Sequence, residues 1–344
     1  MTVFDGPPGQ DTIAAARAGA ERQRLRWPSL GFGGGSAFVG STGEIEAVEL
    51  LFYAWSRGLR YFDTAPFYGH GLSEHRFGAA LRHYPRDDFV LSTKVGRMLR
   101  PDPAATRRGG RLSFAVEYDY GYDAVMRSVE DSLQRLGLAR IDIAYVHDLS
   151  PQWQGDAYAR CFRDAVDGGF RALAKLRSEG TLRAIGAGMK DVDALLRIVD
   201  AADVDCVMLA GGYTLLEQGA LAQLLPRCEA RGVDVVLASP FNSGILASGA
   251  VAGASYFYAP APPDVVARAQ RIEAVCARHD VPLGAAALQF PLAHPAIASV
   301  VAGFRTKTEV DTNLRWLDTR IPPALWSELR AEGLIAREAA VTDA

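Results

Sequence analysis

Four side chains of this 344-residue chain are of the types that, brought together, move a proton and stabilise developing charge: Asp63, Tyr68, Lys94 and His147. Asp63, Lys94 and His147 stand at the ends of the strand-like runs LRYFD, DDFVLSTK and RIDIAYVH, and Tyr68 lies in the loop after the first. If these runs lie side by side and parallel, the four groups gather at one edge of a sheet. A lysine closing an apolar strand meets a low dielectric and needs a carboxylate partner, which Asp63 can supply from one strand away. A tyrosine beside that ion pair is expected to have its phenolate stabilised and its pKa drawn down from about 10. Tyr68 would then carry a proton near neutral pH, and His147 would orient a substrate oxygen through a neutral ring nitrogen. Taken singly, each has an ordinary structural reading: a capping Asp, a hydrogen-bonded Tyr, a surface Lys, a satisfied core His.

The elements that must position these groups alternate along the chain. RYFD precedes a predicted helix over 73–81. FVLSTK precedes, after a long loop, the helix AVMRSVEDSLQRLG, in which Val125, Val129, Leu133 and Leu136 share one face and Gly137 ends it. IDIAYVH precedes a helix near 162–179, RAIGAG precedes DVDALLRIVDAA, and DCVMLAG precedes ALAQLLPRCEARG. VDVVLASP precedes a helix over 265–279, and IASVVAG precedes a last helix near 309–317. LGFGGG precedes a helix opened by Ser41 with Glu44 three residues on, a capping-box pattern. Strands alternating with helices imply a parallel sheet, and eight such units predict an α/β fold, a single (β/α)8 TIM barrel. An open doubly wound sheet is the competing architecture. The domain reading is a barrel over 27–344, with 1–26 an N-terminal extension of uncertain order. Residues 95–120 form the longest predicted loop. With Arg97, Arg100, Arg107 and Arg108 it is either a cover for a pocket or a solvated basic loop.

Other chemistries fit less well. GFGGGS (31–36) lacks the third glycine of a dinucleotide fingerprint, since position 36 is serine. HGLSEH (70–75) has one residue too many for an inverted zinc motif, so solvated or hydrogen-bonded histidines are expected and no metal is predicted. A hydrolase triad drawing on Ser243 and His147 lacks the GxSxG elbow.

Composition limits the rest. Hydrophobic residues make up 49% of the chain and the formal net charge is −3, so no basic surface points to nucleic acid. No run of about 18 uncharged apolar residues suggests a membrane span, and the N-terminus has no basic-then-apolar signal. Cys161, Cys206, Cys228 and Cys276 show neither CxxC nor zinc spacing. Free thiols and a cytoplasmic location are expected. Oligomeric state is not legible.

FDTAPFYGHGLSE, LSTKVGR and SVEDSLQRLGLARIDIAYVHD together resemble the aldo-keto reductase superfamily, over roughly 29–317. The DTAPFYG–GLSE block and the HD after the fourth strand resemble most the aldose 1-dehydrogenase branch. The resemblance implies hydride transfer with NAD, or alternatively NADP, without metal. In it Asp63, Tyr68, Lys94 and His147 match the catalytic tetrad. Tyr68 is the acid in reduction and the base in sugar oxidation, tuned by Lys94 and Asp63. It implies a loop Ser239, Phe241, Ser243, Gly244 on the pyrophosphate, and Gly303, Phe304, Arg305, Glu309 and Asn313 toward the adenosine end. Gly188 and Ala238 depart from the pattern around the nicotinamide, where Phe241 or Tyr213 are candidate aromatic faces. Glu309 near the 2′ position favours NAD. From position alone, Phe38, Phe67, Asp148 and Asn242 are taken as substrate contacts. The expected reaction oxidises the anomeric hydroxyl of a free aldose (L-fucose, D-arabinose or L-galactose type) to the lactone. A pyridoxal 4-dehydrogenase or small-aldehyde reductase is the runner-up. A cofactor-binding regulatory subunit, like those of potassium channels, is the rival from another class.

Overall fold

The structure is a computed structural model and describes residues 25–41, 43–104 and 111–341; Arg107, Arg108 and nearly all of the expected extension lie outside the described residues. Eight strands form its centre: β1 (Leu30–Gly33), β2 (Tyr61–Asp63), β3 (Val90–Val95), β4 (Ile143–His147), β5 (Ala184–Met189), β6 (Cys206–Ala210), β7 (Asp234–Ala238) and β8 (Ile297–Gly303). Each pairs in parallel with its sequence neighbours, and β1 also pairs in parallel with β8 (Leu30 with Val300), so the sheet closes into a barrel. The strands are apolar on both faces because one face fills the barrel and the other receives the helices.

The interior is packed, not open. Tyr61, Ile143, Tyr145, Cys206, Met208, Val236 and Val301 fill it, and Leu25 and Trp27 pack against them. Trp27 meets Tyr61 edge-on and donates its indole N–H to Asp234 at 2.7 Å. Tyr61 and Asp234 begin their strands, so Trp27 stoppers the N-terminal end and leaves the C-terminal end for chemistry.

The helices follow their predicted faces. Tyr122–Leu136 buries Val125, Val129 and Leu136 and ends at Gly137, whose φ of 64° is the left-handed cap glycine tolerates. Val192–Ala201 is capped by the Asp191 carboxylate, which accepts from the Ala194 N–H. Three expectations are corrected. The helix Glu44–Ser56 starts from Gly43 without a side-chain cap, because residue 41 ends a separate short helix, Ser36–Ser41. The helix at Lys307–Leu317 is followed by another, Pro323–Ala331. The long loop after β3 contains an antiparallel hairpin, Arg97–Pro101 with Phe114–Tyr118, which period-2 patterning does not reveal because its strands are mostly exposed and rich in charge.

Among the described residues, no helix is long and apolar enough to cross a membrane, no His/Cys/Asp/Glu cluster could hold a metal ion, and all four cysteines are buried and free.

Candidate active site

Asp63 is the last residue of β2, Lys94 lies one residue from the end of β3, and His147 ends β4. Adjacent parallel strands therefore bring the three to one rim. Lys94 Nζ donates to Asp63 Oδ2 at 2.7 Å and to the Thr64 carbonyl at 2.9 Å. Ser92 donates to the other carboxylate oxygen at 2.6 Å and is itself 3.2 Å from the Tyr61 hydroxyl. Lys94 Nζ sits 4.7 Å from the centre of the Tyr68 ring, and that ring meets His147 edge-on at 5.8 Å. The four predicted groups form one cluster.

Its electrostatics correct the sequence reading of Tyr68. Loss of water around the phenol pushes its pKa up, to about 12. Lys94 pulls it down and Asp63 pushes it up again, so the cation limits the rise without reversing it. Tyr68 is a neutral phenol at pH 7. Burial works against the Lys94 ammonium, but Asp63 and then Tyr68 outweigh it and its pKa is raised. Burial, Arg97 and Lys94 all hold His147 well below 6.5, so its imidazole is neutral.

The loop from Thr64 to Leu72 is anchored by the GLSE segment. Ser73 accepts from Thr64 Oγ1 at 2.7 Å and donates to the Gly34 carbonyl at 2.9 Å. Glu74, fully buried, accepts from Thr93 at 2.7 Å and from Arg135 at 2.6 Å. These polar residues are structural struts, and so is Gly34: a Cβ there would meet Ser73 Oγ and Phe77 at 2.5 Å. The glycine-rich turn serves close packing. His70 is tied by Nδ1 to the Phe114 carbonyl at 2.5 Å.

The cofactor candidates divide. After β7 the backbone of Ser239, Asn242, Ser243 and Gly244 takes positive φ values of 59°, 46°, 66° and 112°, a strained turn of the kind held at ligand clamps. Gly244 has open space where a Cβ would stand, and Ser243 Oγ accepts from the Tyr258 N–H at 3.0 Å. Both amide atoms of Asn242 and the Asn313 Oδ1 are buried with no partner among the described residues. Such atoms are costly to leave unmet, and being without surface of their own they would meet a ligand only if this strained turn opens. Gly303 ends β8 beside Gly33, and Gly188 pairs with His147 across β4 and β5. Phe241 packs edge-on against Trp316.

Several residues are corrected. Phe38 is fully buried against Phe32 and Phe77, and Phe304 is fully buried against Phe32. Tyr213 is fully buried against Phe290 and His294. These rings face the barrel–helix layer and present nothing to the mouth. Asn242 is likewise fully buried and is no open substrate contact. Glu309 is not a free negative charge: its carboxylate accepts from the Arg305 backbone N–H at 2.6 Å and guanidinium at 2.7 and 3.0 Å. The Thr306 hydroxyl accepts from the Glu309 N–H, completing a helix cap. Phe67 and Asp148 stay at the site: Phe67 meets His147 edge-on at 6.0 Å, and Asp148 Oδ2 is 3.5 Å from His147 Nε2.

Sequence reading missed Phe257, and it named Arg97 only as part of a loop that either covers a pocket or is solvated. Phe257, from the loop beyond β7, lies 3.2 Å from where a Cβ of Gly211 would be, and the Gly211 N–H donates to the Ala238 carbonyl. The Phe257 ring lies under the Lys190 ammonium, which is 3.0 Å from the ring centre, and meets Tyr256 edge-on. Arg97 pairs with Asp148 at 2.6 Å. The only signal for either was an aromatic or charged residue within a loop. A separate cleft lined by Arg26, Asp87, Asp88 and Arg183 lies at the N-terminal end and holds none of the tetrad.

The family model described as the aldo/keto reductase family matches residues 29–332. The chain is 43% identical over 337 residues to D-threo-aldose 1-dehydrogenase of a Pseudomonas species, covering 94% of this chain and 97% of that one. It is 40% identical over 305 residues to pyridoxal 4-dehydrogenase of Microbacterium luteolum, covering 85% and 89%. The fold is similar to an aldo-keto reductase structure from Bacillus halodurans, with a TM-score of 0.73 at 24% identity over 93% of this chain and 95% of that one.

Proposed function

The chain belongs to the aldo/keto reductase family, oxidoreductases that use a nicotinamide cofactor, and from that premise we propose that it oxidises the anomeric hydroxyl of a free aldose to the lactone with NAD. The observation that carries the reading is the buried Asp63–Lys94 pair beneath Tyr68, beside a neutral His147, at the open end of the barrel. The 43% identity to an aldose dehydrogenase supports the substrate class.

When bound, the nicotinamide supplies the hydride acceptor or donor. The turn from Ser239 to Gly244, with Asn313 and Gly303, would hold it, since that segment carries the unmet buried amides and the open glycine. In reduction Tyr68 gives its phenol proton to the reacting oxygen and is left as phenolate; in oxidation the phenol first releases that proton to solvent, and the phenolate then takes the hydroxyl proton. Lys94 stabilises the phenolate formed in passing, and Asp63 keeps that ammonium charged and in place. His147, uncharged, orients the reacting oxygen. Arg305, already engaged by Glu309, is poorly free to take a 2′-phosphate, which supports NAD over NADP. The four buried free thiols support a reducing compartment such as the cytoplasm.

The 40% identity to a pyridoxal 4-dehydrogenase supports a second reading with the same tetrad. The two part in one assay: reduced nicotinamide is followed with L-fucose, D-arabinose, L-galactose and pyridoxal. Turnover with an aldose at efficiencies well above pyridoxal is expected. Turnover with pyridoxal alone transfers the proposal to the second reading, and cofactor binding without any turnover would leave a regulatory role.

A further inference from the structure

Gly96, at a φ of 95°, turns the chain out of β3 so sharply that a Cβ would meet the Tyr120 ring at 2.2 Å. The next residue, Arg97, is carried back over the barrel mouth and is 1% exposed. Its guanidinium carbon lies 4.2 Å from the centre of the Phe67 ring, 4.5 Å from Trp153 and 5.4 Å from Tyr118. Three separate loops contribute to that cage. Nη2 donates to Asp148 Oδ2 at 2.6 Å, while Nε and Nη1 are buried without a hydrogen-bond partner among the described residues. A guanidinium so placed persists because ring faces and one carboxylate offset its lost water.

Asp148 is the accessible member of the pair, at 19% exposed against 1% for Arg97. Its backbone holds a φ of 45°, uncommon for a residue with a Cβ. Its N–H donates to the Gly188 carbonyl at 3.0 Å, which fixes it to the end of β5. Oδ2 is 3.5 Å from His147 Nε2, and Oδ1 has no hydrogen-bond partner among the described residues. An acceptor with an unused oxygen therefore stands next to the group that would orient the reacting oxygen. Hydroxyls donate to such an acceptor; a hydroxyl-free aldehyde does not.

Resting on the aldose reading above, we propose that Arg97 is a positioning residue that sets substrate selectivity: locked in its aromatic cage, it holds Asp148 as a fixed acceptor for hydroxyls beside the reacting carbon. Arg97 touches no substrate in this scheme. It acts through Asp148, and Phe67 and Trp153 act through Arg97. The other charged or titratable groups near His147 are Lys94 and Tyr68, which belong to the tetrad, and Tyr120, whose hydroxyl donates to the His147 carbonyl at 2.9 Å; none of them reaches the free oxygen of Asp148 by a hydrogen bond.

The test compares reduction of glyceraldehyde, which carries a hydroxyl next to its carbonyl, with reduction of propanal, which does not, in the whole protein with saturating cofactor. The ratio of their kcat/KM values is expected to fall about ten-fold or more in Arg97→Met and in Asp148→Asn, mainly through KM for glyceraldehyde, on the scale of one hydrogen bond to a charged group. Arg97→Lys, which keeps the cation, is expected to recover part of that ratio. Asp148→Asn with Arg97→Met should be no worse than Arg97→Met alone. Equal losses on both aldehydes would show a merely structural role and overturn the proposal, as would losses that multiply in the double variant. Should Arg97→Met not fold, Asp148→Asn alone decides by the same ratio. Failure of the wild type to oxidise any aldose would sink the proposed function, whereas an unchanged aldehyde ratio sinks only this inference; failure to reduce either aldehyde sinks it too.

Discussion

Lys94 Nζ lies 2.7 Å from Asp63 Oδ2, and both side chains are almost wholly removed from water. A buried pair is costly to break from one side, because the remaining charge is left unpaired. Lys94→Met should therefore destabilise the protein by about 3–5 kcal/mol, while the double variant Lys94→Met with Asp63→Asn should recover part of that loss. Urea unfolding of the wild type, Lys94→Met, Asp63→Asn and the double variant checks this; additive losses would show that the pair is not coupled.

Tyr68→Phe removes the phenol that would carry the proton and leaves the ring over Lys94. Turnover should fall by about 10²–10⁴, with cofactor affinity nearly unchanged. Single-turnover kinetics and a cofactor titration separate the two, and a variant that stays active assigns proton transfer elsewhere.

His147 gives a pH dependence of stability. An unfolded histidine takes up a proton near pH 6.5, and His147 in the folded protein does so only well below that. Between those two values the unfolded chain binds more protons, so stability from this group is complete above about pH 6.5 and is lost as the pH falls. The slope should reach about 1.4 kcal/mol per pH unit. Denaturation midpoints at pH 7 and pH 5, in the wild type and in His147→Gln, isolate it: the drop should shrink in the variant.

Gly186 lies where β5 and β6 press together, and a Cβ there would stand 1.8 Å from the Cys206 carbonyl oxygen. Backbone cannot swing aside as a flexible side chain can. Gly186→Ala should cost about 3 kcal/mol or more and lower the melting temperature, with Gly180→Ala no control because of its own positive φ. Ala187→Gly, on the neighbouring position of the same strand, compares the loss of a methyl with the gain of one.

Glu309 holds Arg305 by both backbone and guanidinium. Glu309→Gln should free the cation for a 2′-phosphate and raise the ratio of kcat/KM with NADP to that with NAD by about ten-fold. An unmoved ratio would place the 2′ position away from Arg305.

The barrel and the gathering of Asp63, Lys94 and His147 were legible because eight alternating strand–helix units favour a closed parallel sheet whose adjacent strand ends share a rim, and Tyr68 was legible as the loop residue just beyond the first of those ends. The helix faces were legible too: the 3.6-residue spacing of Val125, Val129 and Leu136 is local. The loops were less so. Phe38, Tyr213 and Phe304 sit at positions near strand ends, yet their rings turn into the barrel–helix layer, and nothing in an aromatic's sequence position says on which side of its backbone it will pack.

What the sequence determined by itself is therefore the periodic part, the alternation of strands and helices and the polar residues at their ends. Tertiary structure alone decided the sign of the Tyr68 shift, the engagement of Glu309 by Arg305, and the meeting of Arg97 with Asp148, Phe67, Trp153 and Tyr118. Periodicity is written in neighbouring residues. Desolvation and charge balance are sums over atoms that segments far apart in sequence bring to the same point, and only the folded chain performs that sum.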